Sequence, residues 1–432
     1  MKWEFSSFGE HLAGASGIGT LMTDLGEALA RGGEVRMLGG GQPAHIPEID
    51  AVWRRRMEEL LADGGGFERM LGNYDPPRGN EAFLEALAGL LRRNFGWNVS
   101  SRNLAITNGG QTAFFFLFNL LAGRFADGRE RKVLLPLVPE YIGYANQGVG
   151  GGIFRANRPW IEKTGPHEFK YRVDFDALEV AGDVAALCVS RPTNPTGNVL
   201  TDEEVARLAA LAAARNVPLI IDNAYGAPFP NIIFSSVTPV WNENIILTLS
   251  LSKLGLPGTR TGIVVAEPRI AAAVAAMSAI AGLANGNIGQ ALLLPLVEND
   301  EVLRLSREVV RPFYAEKSAA ARACVEEEFG DDFEYFIHRS EGAIFLWLWF
   351  PGLPVAVAEL YERLKRRGVL IIPGHHFFFG LDDDAQPWPH RHECLRMTFT
   401  MDSDTVRAGV RAIAEEVRRA WSERRAGSSS QA

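Results

Sequence analysis

Five short, continuous apolar runs in the middle of the chain constrain its fold more than any other feature. They are residues 133–137 (VLLPL), 185–190 (AALCVS), 218–222 (PLIID), 245–250 (IILTLS) and 262–266 (GIVVA). Runs of this length that do not alternate with polar residues belong to strands covered on both faces. Helical stretches separate several of them. Residues 113–123 follow a turn-like TNGG, and 201–216 open with a capping box in which Thr201 is the N-cap and Glu204 stands three residues later. Strands that alternate with helices imply a mostly parallel sheet between two helical layers. Ligands of such sheets sit at the carboxyl ends of the strands.

The last third has a different rhythm. A long helical stretch, 299–328, precedes an aromatic strand at 344–350 (IFLWLWF), a helix at 355–367 and a short strand at 369–372. A strand at 395–400 and a closing helix at 402–423 complete an α+β pattern. With 432 residues the chain exceeds the usual size of one domain. The reading divides it into residues 1–52 as the N-terminal part of a smaller domain, 53–300 as a large ligand-binding domain, 301–424 as the rest of the smaller domain, and 425–432 (RAGSSSQA) as a disordered tail.

A net charge of −8 argues against a nucleic-acid or membrane-surface partner. Three widely spaced cysteines, Cys188, Cys324 and Cys394, make no disulfide framework, which fits a reducing cytoplasm. The start, MKWEFSSFGEHLAG, lacks the apolar core of a signal peptide. Residues 270–287 are alanine-rich, broken by Gly282 and Gly286, and read as a buried core helix rather than a membrane span. A cytoplasmic, soluble protein is expected.

Four segments carry chemistry, each at or just after an expected strand end. In LSLSKLGLPGTRTG (249–262), Lys253 is bracketed by Ser250, Ser252 and Arg260. A lysine in a partly apolar pocket near other cations can lose its proton and attack a carbonyl. The hydroxyls and the guanidinium suit a phosphate dianion beside it. In LIIDNAYGAPF (219–229), Asp222 ends an apolar strand, where a carboxylate can keep a pyridinium nitrogen protonated, and Tyr225 lies three residues on. In VSRPTNPTGN (189–198), two prolines and a glycine fix a turn that presents Asn194. In ITNGGQTA (106–113), glycine-bearing backbone amides open a helix and make an anion site. Taken singly, each has a plainer explanation: a surface lysine, a capping aspartate, a turn asparagine, a glycine turn.

Together the four segments resemble the class I, fold-type I aminotransferases that depend on pyridoxal 5′-phosphate (PLP). NYDPPRG (73–79), PEYIGY (139–144) and CLRMTF (394–399) add to the likeness, which runs nearly to the tail. Within the family the closer resemblance is to bacterial valine–pyruvate aminotransferases, carried by MLGGGQPAHIPE (37–48), PLVPEYIGYA (136–145), EGAIFLWLWF (341–350) and VLIIPGHHFFFGL (369–381).

The resemblance implies an α/β fold with a large PLP-binding domain and a smaller α+β domain, and it assigns roles. Lys253 holds the cofactor covalently and moves the proton. Asp222 pairs with the ring nitrogen, Tyr225 and Asn194 contact the ring hydroxyl, and Tyr141 stacks on the ring. Gly110, Gln111, Ser250 and Arg260 hold the phosphate, and Tyr74 reaches it from a partner subunit, so a homodimer is implied. Relatives often carry a hydroxylic residue where Gly110 stands, so its contact must be the backbone amide. Arg396 binds the substrate α-carboxylate, helped by Asn194 and the backbone near Gly40.

The substrates implied are small amino acids and 2-oxo acids, with L-valine and pyruvate giving 3-methyl-2-oxobutanoate and L-alanine by a ping-pong route. Phe377, Phe378 and Phe379 offer apolar lining for an uncharged side chain. Alternatives are another small-aliphatic or alanine aminotransferase, or a carbon–sulfur lyase of the same fold. A PLP-sensing regulator would need an N-terminal DNA-binding extension, and too little chain precedes Gly39 for one.

Three further patterns are read without function. His375, His376, His390, His392 and Cys394 do not complete a recognised zinc spacing, so no metal is expected. The Gly39–Gly41 and Gly17–Gly19 stretches do not complete a dinucleotide fingerprint. Trp347 and Trp349 read as strand residues packed inward.

Overall fold

The computed structural model describes residues 3–14, 16–30, 35–382 and 387–429. Its main sheet has eight strands. From one edge the order is Leu104–Asn108, Thr261–Val265, Ile245–Ser250, Leu219–Asp222, Val184–Ser190, Glu130–Leu135 and Gly123–Arg124, and Phe154–Ala156 also pairs with Glu130–Leu135. The five runs seen in the sequence are five of these strands. The pairings from Ile245–Ser250 through to Phe154–Ala156 are parallel, whereas Thr261–Val265 is antiparallel to both its neighbours. Every residue of Val184–Ser190 and of Ile245–Ser250 is buried, which explains the unbroken apolar runs.

Parallel pairing brings the functional segments to one edge. Ser190 lies opposite Asp222, and Asp222 lies opposite Thr248, so three neighbouring strands end within a residue or two of each other. The segments that follow them, beginning at Arg191, Asn223 and Leu251, therefore open onto one crevice. The helix Asp202–Ala214 that covers this sheet begins with the expected capping box: Thr201 Oγ1 accepts from the Glu204 amide at 3.1 Å, and Glu204 Oε2 accepts from the Thr201 amide at 2.8 Å. Such a cap stabilises a helix by about 1 kcal/mol.

A second sheet of six strands runs Ile372–Pro373, Cys394–Thr398, Phe345–Trp349, Phe336–His338, Glu168–Arg172 and Trp160–Gly165. Its last two strands form a hairpin from the middle of the chain, which pairs in parallel with Phe336–His338. Residues within the 53–300 span thus extend the sheet built by the C-terminal part. The short strand expected at 369–372 is shared between sheets: Val369–Leu370 pairs with Arg36–Met37, and Ile372–Pro373 pairs with Cys394–Thr398.

The long helix expected at 299–328 is Glu301–Leu305, a π-helical turn Ser306–Val310, and Arg311–Phe329. Pro312 has no amide to continue the α ladder, and the wider turn accommodates the gap. The alanine-rich segment forms the helix Pro268–Gly282, but only one face is covered. Ala271, Val274, Ala275 and Ser278 are buried, while Ile280 is 91% exposed and Leu283, just past its end, 60%. The expectation of a core helix is corrected: a helix poor in charge is half on the surface. The closing helix runs Ser403–Ser429, past residue 425 where the tail was read to begin; residues 430–432 lie outside the described set.

Candidate active site

A cavity of about 560 Å³ opens at the strand ends. Gly40, Gly110, Gln111, Tyr141, Asn194, Asp222, Tyr225, Ser250, Lys253, Arg260 and Arg396 all line it. These are all the expected site residues except Tyr74, which is 81% exposed and away from the cavity of its own chain.

Lys253 sits on a single 3-10 turn, Ser252–Leu254, directly after the Ile245–Ser250 strand. Its Nζ donates to the Gly41 carbonyl oxygen at 2.5 Å and lies 5.3 Å from the centre of the Tyr225 ring. Enclosure lowers its pKa to about 8, helped by the Arg396 and Arg260 charges and opposed by Asp222. Asp222 accepts from the Tyr144 hydroxyl at Oδ2 and from the Ala224 amide at Oδ1, 2.9 Å away. Burial raises its pKa, and the bonds from Tyr144, Ala224 and Thr248 work against that rise.

Arg396 comes from the other sheet, on Cys394–Thr398, and is buried. Its Nη1 donates to Asn194 Oδ1 and its Nη2 to the Gly39 carbonyl, both at 2.7 Å. The guanidinium lies 4.1 Å from the Phe345 ring centre, and burial lowers its pKa to about 10. Its Nε is buried and unpartnered. A buried cation held by neutral oxygens, with one donor unsatisfied, is an anion receptor.

The opposite wall is built for a phosphate. The helix Gly110–Leu121 starts with no side-chain cap, leaving its first amides free for a ligand. Gly109 has φ of +86°, and a Cβ there would lie 2.1 Å from the Arg260 guanidinium. A Cβ on Gly262 would lie 2.6 Å from the Gly109 carbonyl carbon. Both glycines let the helix start and Arg260 come together beside Ser250 and Lys253. The Gln111 side-chain amide is already engaged, donating to the Gly143 carbonyl at 2.8 Å. A phosphate cradle, a neutralisable lysine, a carboxylate at a strand end and a carboxylate receptor form a set that fits PLP with an amino acid beside it.

A family model described as Aminotransferase class I and II matches residues 44–413. The chain belongs to the class I and II aminotransferases. It is 49% identical over 97% of its length, and 99% of the relative's, to the valine–pyruvate aminotransferase of Escherichia coli (strain K12). The crystal structure of the valine–pyruvate aminotransferase of Salmonella typhimurium LT2 superposes with a TM-score of 0.86 at 48% identity, covering 94% of this chain and all of that one. Another solved chain, from Psychrobacter arcticum 273-4, gives 0.94 at 45% identity over 98% of this chain and all of its own. Thermus thermophilus aspartate aminotransferase, at 21% identity and a TM-score of 0.74, shares the fold. The family works with PLP, and the cavity described above has the parts to hold it.

Sequence reasoning missed several cavity residues. Tyr144, which grips Asp222, stands three residues after Tyr141 in the same PEYIGY motif, a signal that was available. Met22 and Met37 line the cavity from the N-terminal helix Gly17–Ala30 and the strand Arg36–Met37, and no motif marks either. The C-terminal histidines pack locally. His390 is buried against the Tyr171 hydroxyl and Trp349, and burial lowers its pKa to about 3. His375 stacks on His392 and lies 4.0 Å from His376 with the rings tilted by 38°. Among the described residues no group of three or more His, Cys, Asp or Glu could hold a metal ion.

Proposed function

We propose that this protein moves the amino group of L-valine to pyruvate, giving 3-methyl-2-oxobutanoate and L-alanine, with PLP as cofactor. The observation that carries the substrate pair is the 49% identity, over nearly the whole of both chains, to the Escherichia coli enzyme of that name. The cavity supports it. Its described lining contains three cations, Lys253, Arg260 and Arg396. Lys253 and Arg260 are engaged at the cofactor end and Arg396 with the α-carboxylate, which leaves apolar Met22, Met37 and Met401 for a small aliphatic side chain.

The cofactor, when bound, supplies an aldehyde that accepts the amino group and a ring that withdraws electrons. The chain supplies the rest. Arg396 and the Asn194 amide hold the α-carboxylate, which fixes the direction of the α-hydrogen. Lys253 Nζ, in its neutral form, takes that proton and later returns it. Asp222 keeps the ring nitrogen protonated, itself steadied by Tyr144. Tyr141 covers the ring face, Tyr225 and Asn194 meet its hydroxyl, and Gly110, Gln111, Ser250 and Arg260 hold the phosphate.

A homodimer completes the site in this reading, with Tyr74 reaching the phosphate of the partner. Its exposure supports this, as does the exposed apolar company of Leu71, Ile280 and Leu283. The Asn287 side chain donates to the Asn73 carbonyl at 2.8 Å and so joins the two segments that bear them. No described helix is long and apolar enough to cross a membrane, and a cytoplasmic location is proposed. The proposed division is a large cofactor domain over 53–300 and a smaller one from 1–52 and 301–424.

The test is a product assay with pyruvate and a panel of L-amino acids. L-alanine formed fastest from L-valine, with matching 3-methyl-2-oxobutanoate, is the expected result. A clear preference for another donor would remove the valine assignment. Ammonia with no amino-group transfer would point to a lyase.

A further inference from the structure

Glu140 is fully buried, and among the described residues no lysine or arginine bonds to it. It follows Pro139 and precedes Tyr141 at the head of the turn Ile142–Tyr144. Its Oε1 accepts from the Ser190 amide at 2.8 Å, and its Oε2 lies 2.6 Å from Ser190 Oγ and 3.3 Å from the Tyr141 amide. Its own amide donates to the Phe377 carbonyl at 3.0 Å. Ser190 is the register partner of Asp222. One side chain thus joins the strand beside Asp222 to the turn that carries both Tyr141 and Tyr144.

We propose that Glu140 is a positioning residue: its carboxyl group clamps the end of the Val184–Ser190 strand to the 140–144 turn and so holds Tyr144 on Asp222. This rests on Asp222 being the partner of the ring nitrogen.

The surroundings also define the protonation state of the clamp. Asp222 acts on it with the same sign of charge; Cys188, two residues before Ser190 on the same strand face, and Tyr144 are neutral. On the packed 374–377 segment, His375 and His376 are both shifted toward the neutral form by burial. Lys253 acts on Asp222, and Arg396 on Tyr141. Burial raises the Glu140 pKa to about 8, with Asp222 adding to the rise and the Ser190 and Tyr141 bonds opposing it. At a pKa of about 8 Glu140 is mostly a neutral acid at neutral pH, and its Oε2 is the oxygen that meets the Ser190 hydroxyl.

A glutamine keeps the acceptor for the Ser190 amide and puts an amide nitrogen where Oε2 accepts from Ser190 Oγ, a contact the rotatable Ser190 hydroxyl keeps by accepting instead. Glu140→Ala leaves the buried Ser190 amide without a partner and frees the turn. The experiment measures PLP dissociation constants for the wild type, E140A, E140Q and Ser190→Ala, together with infrared spectra of the PLP-free proteins. E140A is expected to weaken PLP binding by roughly tenfold to a hundredfold, the usual scale for one orphaned buried group. E140Q restores binding to within about threefold, and Ser190→Ala weakens it less than E140A does. The infrared spectrum shows a protonated carboxyl band that disappears as pH rises through about 8 and is absent from E140Q.

If E140A does not fold, Ser190→Ala and the infrared band decide: a binding loss in the first and a titrating band in the second are the expected pair. E140Q as damaging as E140A, a silent E140A or Ser190→Ala, or a Glu140 ionised at neutral pH would each overturn the proposal. Asp222→Ala separates the premise. Unchanged PLP binding and spectrum in that variant would remove the role of Asp222, whereas a strong Asp222 phenotype beside silent Glu140 variants would remove only the clamp.

Discussion

Lys253 must be neutral to bond to a carbonyl, and the cavity is what makes it so. With its pKa lowered to about 8, roughly one molecule in ten carries the neutral amine at pH 7, against about one in three thousand for a lysine at 10.5. The perturbation is pH, applied to the PLP-free protein, and the assay is the rate of PLP capture at limiting cofactor. Between pH 7 and 9 the neutral fraction, and with it the rate, rises about tenfold and then levels off. A lysine with an ordinary pKa would gain about a hundredfold over that interval with no plateau. Arg260→Gln, which removes one of the cations that lower the pKa, moves the plateau to higher pH. The sign carries over to stability. A lysine with a depressed folded pKa costs stability below that pKa, so its contribution improves as pH rises from about 8 toward 10.5. A hundredfold rise without a plateau would refute the reasoning, because the enclosure would then not be neutralising the amine.

Other expectations follow from the same geometry. In the proposed role Arg396 binds the α-carboxylate, so Arg396→Met, which also removes its bonds to Asn194 Oδ1 and the Gly39 carbonyl, lowers kcat/KM for L-valine by about a hundredfold or more, measured at steady state, a bond to a charged group being worth roughly 1.5–3 kcal/mol. Tyr144→Phe removes a hydroxyl bond to Asp222 and lowers the single-turnover rate by about tenfold while PLP stays bound, seen by stopped-flow absorbance. Lys170 is buried and pairs with Glu341, so Lys170→Met strands a carboxylate and destabilises the fold by about 3–5 kcal/mol in chemical denaturation. Glu140 holds a proton in the folded state up to about pH 8 and loses it near 4.5 when unfolded; stability therefore falls as pH rises across that interval, and the unfolding temperature of PLP-free E140Q gains on the wild type over the same range.

The parts of this molecule that were legible in the sequence are those where local composition and tertiary role coincide. A strand buried on both faces has to be apolar throughout, so Val184–Ser190 and Ile245–Ser250 were visible as runs. Thr201 and Glu204 announced a helix start because the cap is a local device. The hairpin from Trp160 to Arg172 was not visible, because its strands carry charges such as Glu162, Lys163 and Lys170 and it is placed by pairing with a strand more than 160 residues away. Lys170 is buried only because Glu341 meets it there.

The candidate site shows the same division. Lys253 and Asn194 stand in turns whose glycine and proline pattern is local, Asp222 ends an apolar strand, and Arg396 lies within one. Met22 and Met37 reach the cavity only through the docking of the N-terminal segment, and Glu140 acquires its role from Ser190 on another strand. Surface exposure was the other blind spot: Ile280 and Leu283 belong to an apolar run, yet they are exposed.

The central claim is that Lys253 and the cavity around it carry out amino-group transfer from L-valine. It is tested most directly by one half-reaction: PLP-loaded protein mixed with L-valine alone, followed by visible absorbance and by quantifying 3-methyl-2-oxobutanoate. The account predicts one equivalent of the oxo acid per active site, loss of the lysine-bound cofactor band, recovery of that band on adding pyruvate, and none of these in Lys253→Ala. A band that L-valine leaves unchanged, or oxo acid formed equally by Lys253→Ala, would contradict it.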